Sequence, residues 1–149
     1  MKLLQRGLIL TMFALAGLLF AGCGNFKFGN PVGVSTVTLG IGNRSLTQDK
    51  DTYNWILSFT LNAYTLPGSP AGVINSFQLQ SGGNLTAGLR VESCEATATT
   101  DCGPFAVNYS LDFGTTPPPS GSYVITGYTI VGQNGTAYTQ VLADPLVIH

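Results

Sequence analysis

Apolar and polar residues alternate with a period of two over long stretches of this chain. Tyr53, Trp55, Leu57, Phe59, Leu61 and Ala63 fall on one side, against Asn54, Ser58, Thr60 and Asn62 on the other; Ile56 and Tyr64 break the pattern. Phe105, Val107, Tyr109, Leu111 and Phe113 repeat it against Asn108, Ser110 and Asp112. Successive side chains of a strand point to opposite faces, so each run predicts a strand with one buried face, and a helical period explains neither. Further strands are predicted over 34–41, 73–80, 85–93, 122–131 and 137–148. Asp144-Pro145 interrupts the last, because proline cannot donate to a ladder, and a bend or an edge position is expected there.

Turn chemistry separates these runs. Pro67-Gly68-Ser69-Pro70, Gly82-Gly83-Asn84, the stretch 116–121 and Asn134-Gly135 each stand between two of them. Asn-Gly between alternating runs is a strong hairpin signal, since both residues accept positive φ. Short strands at this spacing, with no convincing helix beyond the N-terminal run, predict an all-β fold: a β-sandwich of about seven antiparallel strands. In strand count and patterning, residues 34–148 resemble the immunoglobulin and fibronectin type III class, and Trp55 on an early strand resembles the buried tryptophan of such domains. The paired inter-sheet cysteines of true immunoglobulin domains are absent, since Cys94 and Cys102 stand too close in sequence to span the sheets across Trp55.

The N-terminus follows another pattern. Lys2 and Arg6 precede a fourteen-residue stretch, Leu8 to Ala21, interrupted only by Thr11. A basic start, a short apolar core and small residues before a cut are the marks of a secretory signal peptide. The stretch is short for a membrane span, which needs about 20 apolar residues. Leu19-Phe20-Ala21-Gly22-Cys23 resembles the lipobox of bacterial lipoproteins, with Phe20 in place of the preferred aliphatic residue. The resemblance implies cleavage after residue 22 and lipidation of Cys23 by two or three acyl chains, palmitate among them. It divides the chain into a signal peptide at 1–22, a lipidated tether at 23–33 and the sandwich at 34–149. Asn25, Gly29 and Asn30-Pro31 give the tether its turn-like character. Gly24 does not resemble an inner-membrane retention aspartate, which points to outer-membrane sorting in a host with such a membrane.

Composition narrows the partners. Residues 23–149 carry four bases, Lys27, Arg44, Lys50 and Arg90, against seven acids, for a balance of −3. No basic patch is available to neutralise phosphates, so nucleic acid is not an expected partner. Nor can a basic run hold the domain on an anionic bilayer, so membrane attachment is expected through the lipid on Cys23. With 44% hydrophobic residues the chain has enough apolar surface to fold.

Candidate chemistry is sparse. With Cys23 assigned to the lipid, Cys94 and Cys102 form an even pair in an oxidising compartment, and a disulfide between them is expected. Seven intervening residues do not give the Cys-x-x-Cys spacing of a redox pair. His149 is the only histidine and the last residue, so no nucleophile–histidine–acid set can be assembled. Asp112 is predicted on an outward strand face, and Glu95 and Asp101 lie between the cysteines, an arrangement unlike a two-carboxylate hydrolase. Asp49 and Asp51 in the polar loop 42–51 could offer oxygens to calcium, but Lys50 offsets them and no EF-hand spacing is present. Gly40-Ile41-Gly42 lacks the following helix that phosphate binding needs, and Gly40 is read as bulge or turn chemistry. No metal or other cofactor is expected. The Asn-x-Ser/Thr triplets at Asn43, Asn84, Asn108 and Asn134 arise readily in a chain rich in Asn, Ser and Thr and carry no argument.

Three functions follow as expectations. The first is a non-catalytic, lipid-anchored cell-envelope protein that presents an edge strand or loops to another envelope protein or a glycan. Tyr64, Tyr128 and the loop 116–121, expected to be exposed, are its first candidate contacts. The second is an immunoglobulin-like protease inhibitor, because Asn30-Pro31-Val32-Gly33 resembles the Asn-Pro-rich loop of chagasin-like inhibitors. The third, a metal-dependent envelope enzyme, has the least support, and the chain is not expected to be an enzyme.

Overall fold

The structure is a computed structural model and describes residues 33–149; the expected signal peptide, Cys23 and residues 24–32 of the expected tether lie outside the described residues. Seven strands follow one another: β1 (Val37–Gln48), β2 (Trp55–Thr65), β3 (Gly72–Leu79), β4 (Asn84–Val91), β5 (Cys102–Asp112), β6 (Val124–Val131) and β7 (Ala137–Val147). All pairings are antiparallel. They form a three-stranded sheet, β1-β2-β5, facing a four-stranded sheet, β4-β3-β6-β7. The fold is therefore the expected seven-stranded β-sandwich. Its fourth strand lies beside β3, whereas in a constant-type immunoglobulin domain it joins the sheet of the first, second and fifth.

The period-two pattern explains the packing. Leu57, Phe59, Leu61 and Ala63 of β2 are buried, and they pair across the sheet with Leu111, Tyr109, Val107 and Phe105 of β5. Ile74 and Phe77 of β3 with Ile125, Tyr128 and Ile130 of β6 supply the opposing layer. Phe59 stacks on Tyr109 at 5.2 Å between ring centroids, and Phe77 meets the same tyrosine edge-on at 6.5 Å. Burying a large side chain of this kind contributes about 1.5–3 kcal/mol, so these rows dominate stability. Gly127 is tight for a different reason. A Cβ there would run into the Gln140 carbonyl of the neighbouring strand, so only glycine fits.

Four expectations are corrected. The first strand does not end at Ile41 but runs through most of the polar loop to Gln48, absorbing Asn43 in a bulge at positive φ (48°). Its polar residues fit because β1 is an edge strand with an outward face in water. Gly40 pairs regularly with Asn62, and the bulge opens only between Gly42 and Ser45. Tyr53 is not the first inward residue of β2: it sits in the β1–β2 turn, 66% exposed, at φ 58°. Tyr128 is buried, because its phenol oxygen accepts the Val37 backbone N–H at 3.2 Å and so satisfies the polar end.

The two hairpin features near the C-terminus are as the residues suggest, with one change. The Gly135 N–H donates to the Gly132 carbonyl at 3.0 Å, and only Gly135 of the Asn-Gly pair takes positive φ, at 76°. Asp144-Pro145 lies on an edge strand, where β7 bulges away between its pairings Gly127↔Val141 and Ile125↔Leu146.

Candidate functional site

Cys94 and Cys102 are joined, with S–S at 2.09 Å and Cα atoms 5.6 Å apart. Cys94 follows β4 of one sheet and Cys102 opens β5 of the other, so the bridge closes the crossover between the sheets. That is a structural position at the rim of the sandwich.

Three of the carboxylates, Asp49, Asp101 and Asp112, are engaged in local hydrogen bonds. Asp49 Oδ1 accepts the Thr52 N–H at 2.8 Å, the Asp51 N–H at 2.9 Å and the Thr52 hydroxyl at 3.0 Å. These donors, the Thr52 backbone first, hold the Asp49 carboxyl below the ordinary value. Asp49 therefore builds the turn through Oδ1. Asp112 caps the next loop by accepting the Gly114 N–H at 2.7 Å and the Asn54 amide at 2.9 Å. Asp101 accepts the Thr38 hydroxyl at 3.1 Å. Among the described residues, no three of His, Cys, Asp and Glu converge as a metal site would require. The His149 Nε2 lies 3.1 Å from the Pro118 carbonyl, which docks the chain end on the 116–121 loop.

The three tyrosine-and-loop candidates do not come together. Tyr128 is in the core, Tyr64 is half-buried on the outer face of the three-stranded sheet, and the 116–121 loop lies at the end where β5 leaves. What the sequence reading missed is an asymmetry between the two open sides of the sandwich.

On one side the edges β4 and β5 are tied, since the Tyr109 hydroxyl donates to the Thr86 carbonyl at 2.9 Å. These edges carry Arg90, Pro104, Asp112 and a positive-φ Gly88, the devices that keep an edge from pairing with another chain. On the other side, β1 and β7 flank a groove of about 360 Å³. Val37, Leu39 and Leu66 line one wall, Leu142 and Leu146 the other, with Tyr128 and Gln140 between them. The Gln140 Nε2 is enclosed without a hydrogen-bond partner. Val141 lines the groove and is 83% exposed, and Asp144 lines it as well. Burial holds the Tyr128 hydroxyl above its ordinary pKa, so it stays a neutral, fixed part of the groove floor.

Backbone chemistry follows from the register. In an antiparallel ladder, hydrogen-bonded and non-bonded pairs alternate. The Gly132 N–H bonds the Thr136 carbonyl at 3.1 Å, which makes 138↔130 and 140↔128 the bonded pairs. Ala137, Thr139 and Val141 therefore direct their N–H and C=O groups to the free edge. None of these three is charged, and none is proline.

Comparison with known proteins adds little. No family model matches the chain, and no curated protein matches it. One solved structure, the X-ray structure of Northeast Structural Genomics Consortium target SoR45, is 13% identical, with a TM-score of 0.38, over 75% of this chain and 84% of that one. A likeness of that size carries no argument about function.

Proposed function

We propose that this chain is a non-catalytic, lipid-anchored protein of the bacterial cell envelope that works by docking an extended polypeptide along its β1/β7 side. The observation that carries the docking is the asymmetry just described. On one side the two sheet edges are tied by the Tyr109–Thr86 hydrogen bond, while the other opens a largely apolar groove beside β7, whose segment 137–141 carries no charge and no proline. Strand addition uses such edges: main-chain hydrogen bonds give affinity, and pockets for alternate side chains give selectivity. The anchoring rests on the lipobox-like Leu19 to Cys23, which would hold the domain at a membrane surface beside its partner. Two acyl chains make such an anchor stable where one is marginal.

A protease-inhibitor reading gains nothing from the geometry, because it rests on residues 30–33, of which only Gly33 is described. The docking is tested by placing a photoreactive amino acid at Val141, and in a parallel strain at Thr86, in the bacterium that carries the chain. Adducts from position 141 and none from position 86 are expected. Equal yields at both positions, or none at 141, would overturn the docking side.

A further inference from the structure

We infer that Asn134-Gly135 is a modification site, at which the chain deamidates spontaneously when the β6–β7 hairpin opens and which the closed hairpin protects. The inference is independent of the docking side and of the lipid anchor.

The residue types set the chemistry. Gly135 is the only glycine of the chain that directly follows an asparagine. With no Cβ on the next residue, the asparagine carboxamide has an open approach to the following backbone nitrogen. Gln133, Asn134, Gly135 and Thr136 are all exposed, so water and base reach the turn. In the reaction the Gly135 nitrogen gives its proton to solvent base and bonds to Asn134 Cγ. The Cγ–Nδ2 bond breaks, and the nitrogen leaves as ammonia with a proton taken from water, which leaves a succinimide ring. Water then opens the ring. Cleavage at Cγ gives aspartate, and cleavage at the backbone carbonyl carbon gives isoaspartate, whose main chain runs through the former side chain. The net change takes up water and releases ammonia, with nothing oxidised or reduced.

The closed turn opposes each part of that reaction. The attacking nitrogen is engaged, because the Gly135 N–H donates to the Gly132 carbonyl at 3.0 Å. Asn134 Oδ1 accepts the Thr136 N–H at 3.0 Å, and Nδ2 donates to the Tyr138 hydroxyl at 3.1 Å. The carboxamide is thus clamped at both ends, and Cγ cannot swing onto the Gly135 nitrogen while both bonds hold. Reaction waits on local opening, which turns undergo more readily than core strands. Its outcome is one-way. Isoaspartate lengthens the main chain between 134 and 135, so the bond from Gly135 to Gly132 cannot re-form as before. The turn also packs on the start of the sandwich: a Cβ at Gly132 would come within 2.8 Å of the Gly33 carbonyl oxygen and 3.3 Å of Asn134 Oδ1. Modification at Asn134 therefore loosens the packing of Gly33 as well as the hairpin.

The test is a deamidation time course on the full chain at mildly alkaline pH, in buffer and in urea above the unfolding midpoint. The peptide containing residues 134 and 135 is followed by mass spectrometry for aspartate and isoaspartate. In urea Asn134 should convert ahead of every other asparagine. In buffer its rate should fall by about tenfold or more, the restraint that one or more net hydrogen bonds supply. Tyr138→Phe keeps the ring and removes the acceptor of Nδ2. It should raise the rate in buffer by about two- to tenfold and leave the rate in urea unchanged. An Asn134 that converts no faster than the other asparagines in urea would overturn the site. Equal rates in buffer and urea would overturn the protection, and a faster rate in buffer would mean that the Thr136 N–H activates the carboxamide instead. A Tyr138→Phe chain no faster than wild type in buffer would overturn the clamp.

Discussion

Tyr109 donates its hydroxyl to the Thr86 carbonyl at 2.9 Å and so ties the edge of one sheet to the edge of the other. The same ring stacks on Phe59 and meets Phe77, which makes it the point where both layers and one open side converge. Burial, with a smaller contribution from Tyr123, pushes its pKa up from 10.0 to about 12. The folded protein thus holds the proton at pH values where the unfolded chain has lost it. Stability is full below the ordinary tyrosine value and falls as pH rises from about 10 to about 12. Denaturation midpoints across that interval should show the decline, and Tyr109→Phe should make it shallower, with the desolvated Tyr123 and Tyr128 supplying the rest, while lowering the neutral-pH stability by about 0.5–1.5 kcal/mol for the lost hydrogen bond. An unchanged slope in the variant would contradict the assignment.

The inward row of β2 sets the next expectation. Phe59 is buried, whereas Thr60 faces outward and bonds Asn108 at 2.7 Å. Phe59→Ala should cost about 3–5 kcal/mol. Thr60→Ala should cost about 1 kcal/mol or less, as an exposed hydrogen bond does. Urea midpoints of the two variants would read the difference directly, and equal small shifts would mean that the inward row does not carry the core.

Tyr53 pays for its position. A side chain with a Cβ at φ 58° sits in the left-handed region, which costs about 1–2 kcal/mol relative to the ordinary helix basin. Its ring is largely in water and returns little. Tyr53→Gly should therefore raise the midpoint, by about 0.5–1 kcal/mol after the greater freedom of glycine in the unfolded chain is counted. Thermal unfolding checks the sign; a clear loss of stability would show that the ring makes a contribution its exposure conceals.

The Cys94–Cys102 bridge closes a short loop, which the chain-entropy account values at roughly 2–3 kcal/mol. The Cys94→Ser, Cys102→Ser double variant should lower the midpoint accordingly and leave strand content intact by circular dichroism. Loss of the β signal at ordinary temperature would assign the bridge a larger part than a rim staple.

Legibility followed the periodicity. Leu57, Phe59, Leu61 and Ala63 were readable because a half-buried strand writes its buried face directly into the sequence. Tyr128 was not, because a tyrosine reads as a surface residue until a specific donor is known, and the Val37 N–H that satisfies it comes from a strand 91 positions away in sequence. Tyr53 continued the alternation of β2 without belonging to it, since the turn set by Asp49 ends only at Asn54. The β1/β7 groove was illegible for a plainer reason. Which strands become edges, and which edges are tied, depends on sheet order, and no local pattern in residues 137–141 encodes it.

The proposed placement of this sandwich at a membrane rests on Cys23, so the N-terminus of the exported protein is the most direct test. The full chain, produced in a bacterial host, should yield an N-terminal peptide that begins at Cys23 and carries two or three acyl chains by mass spectrometry. It should partition into detergent, whereas Cys23→Ser remains aqueous. An unmodified Cys23, or wild-type protein found wholly in the aqueous phase, would contradict the account.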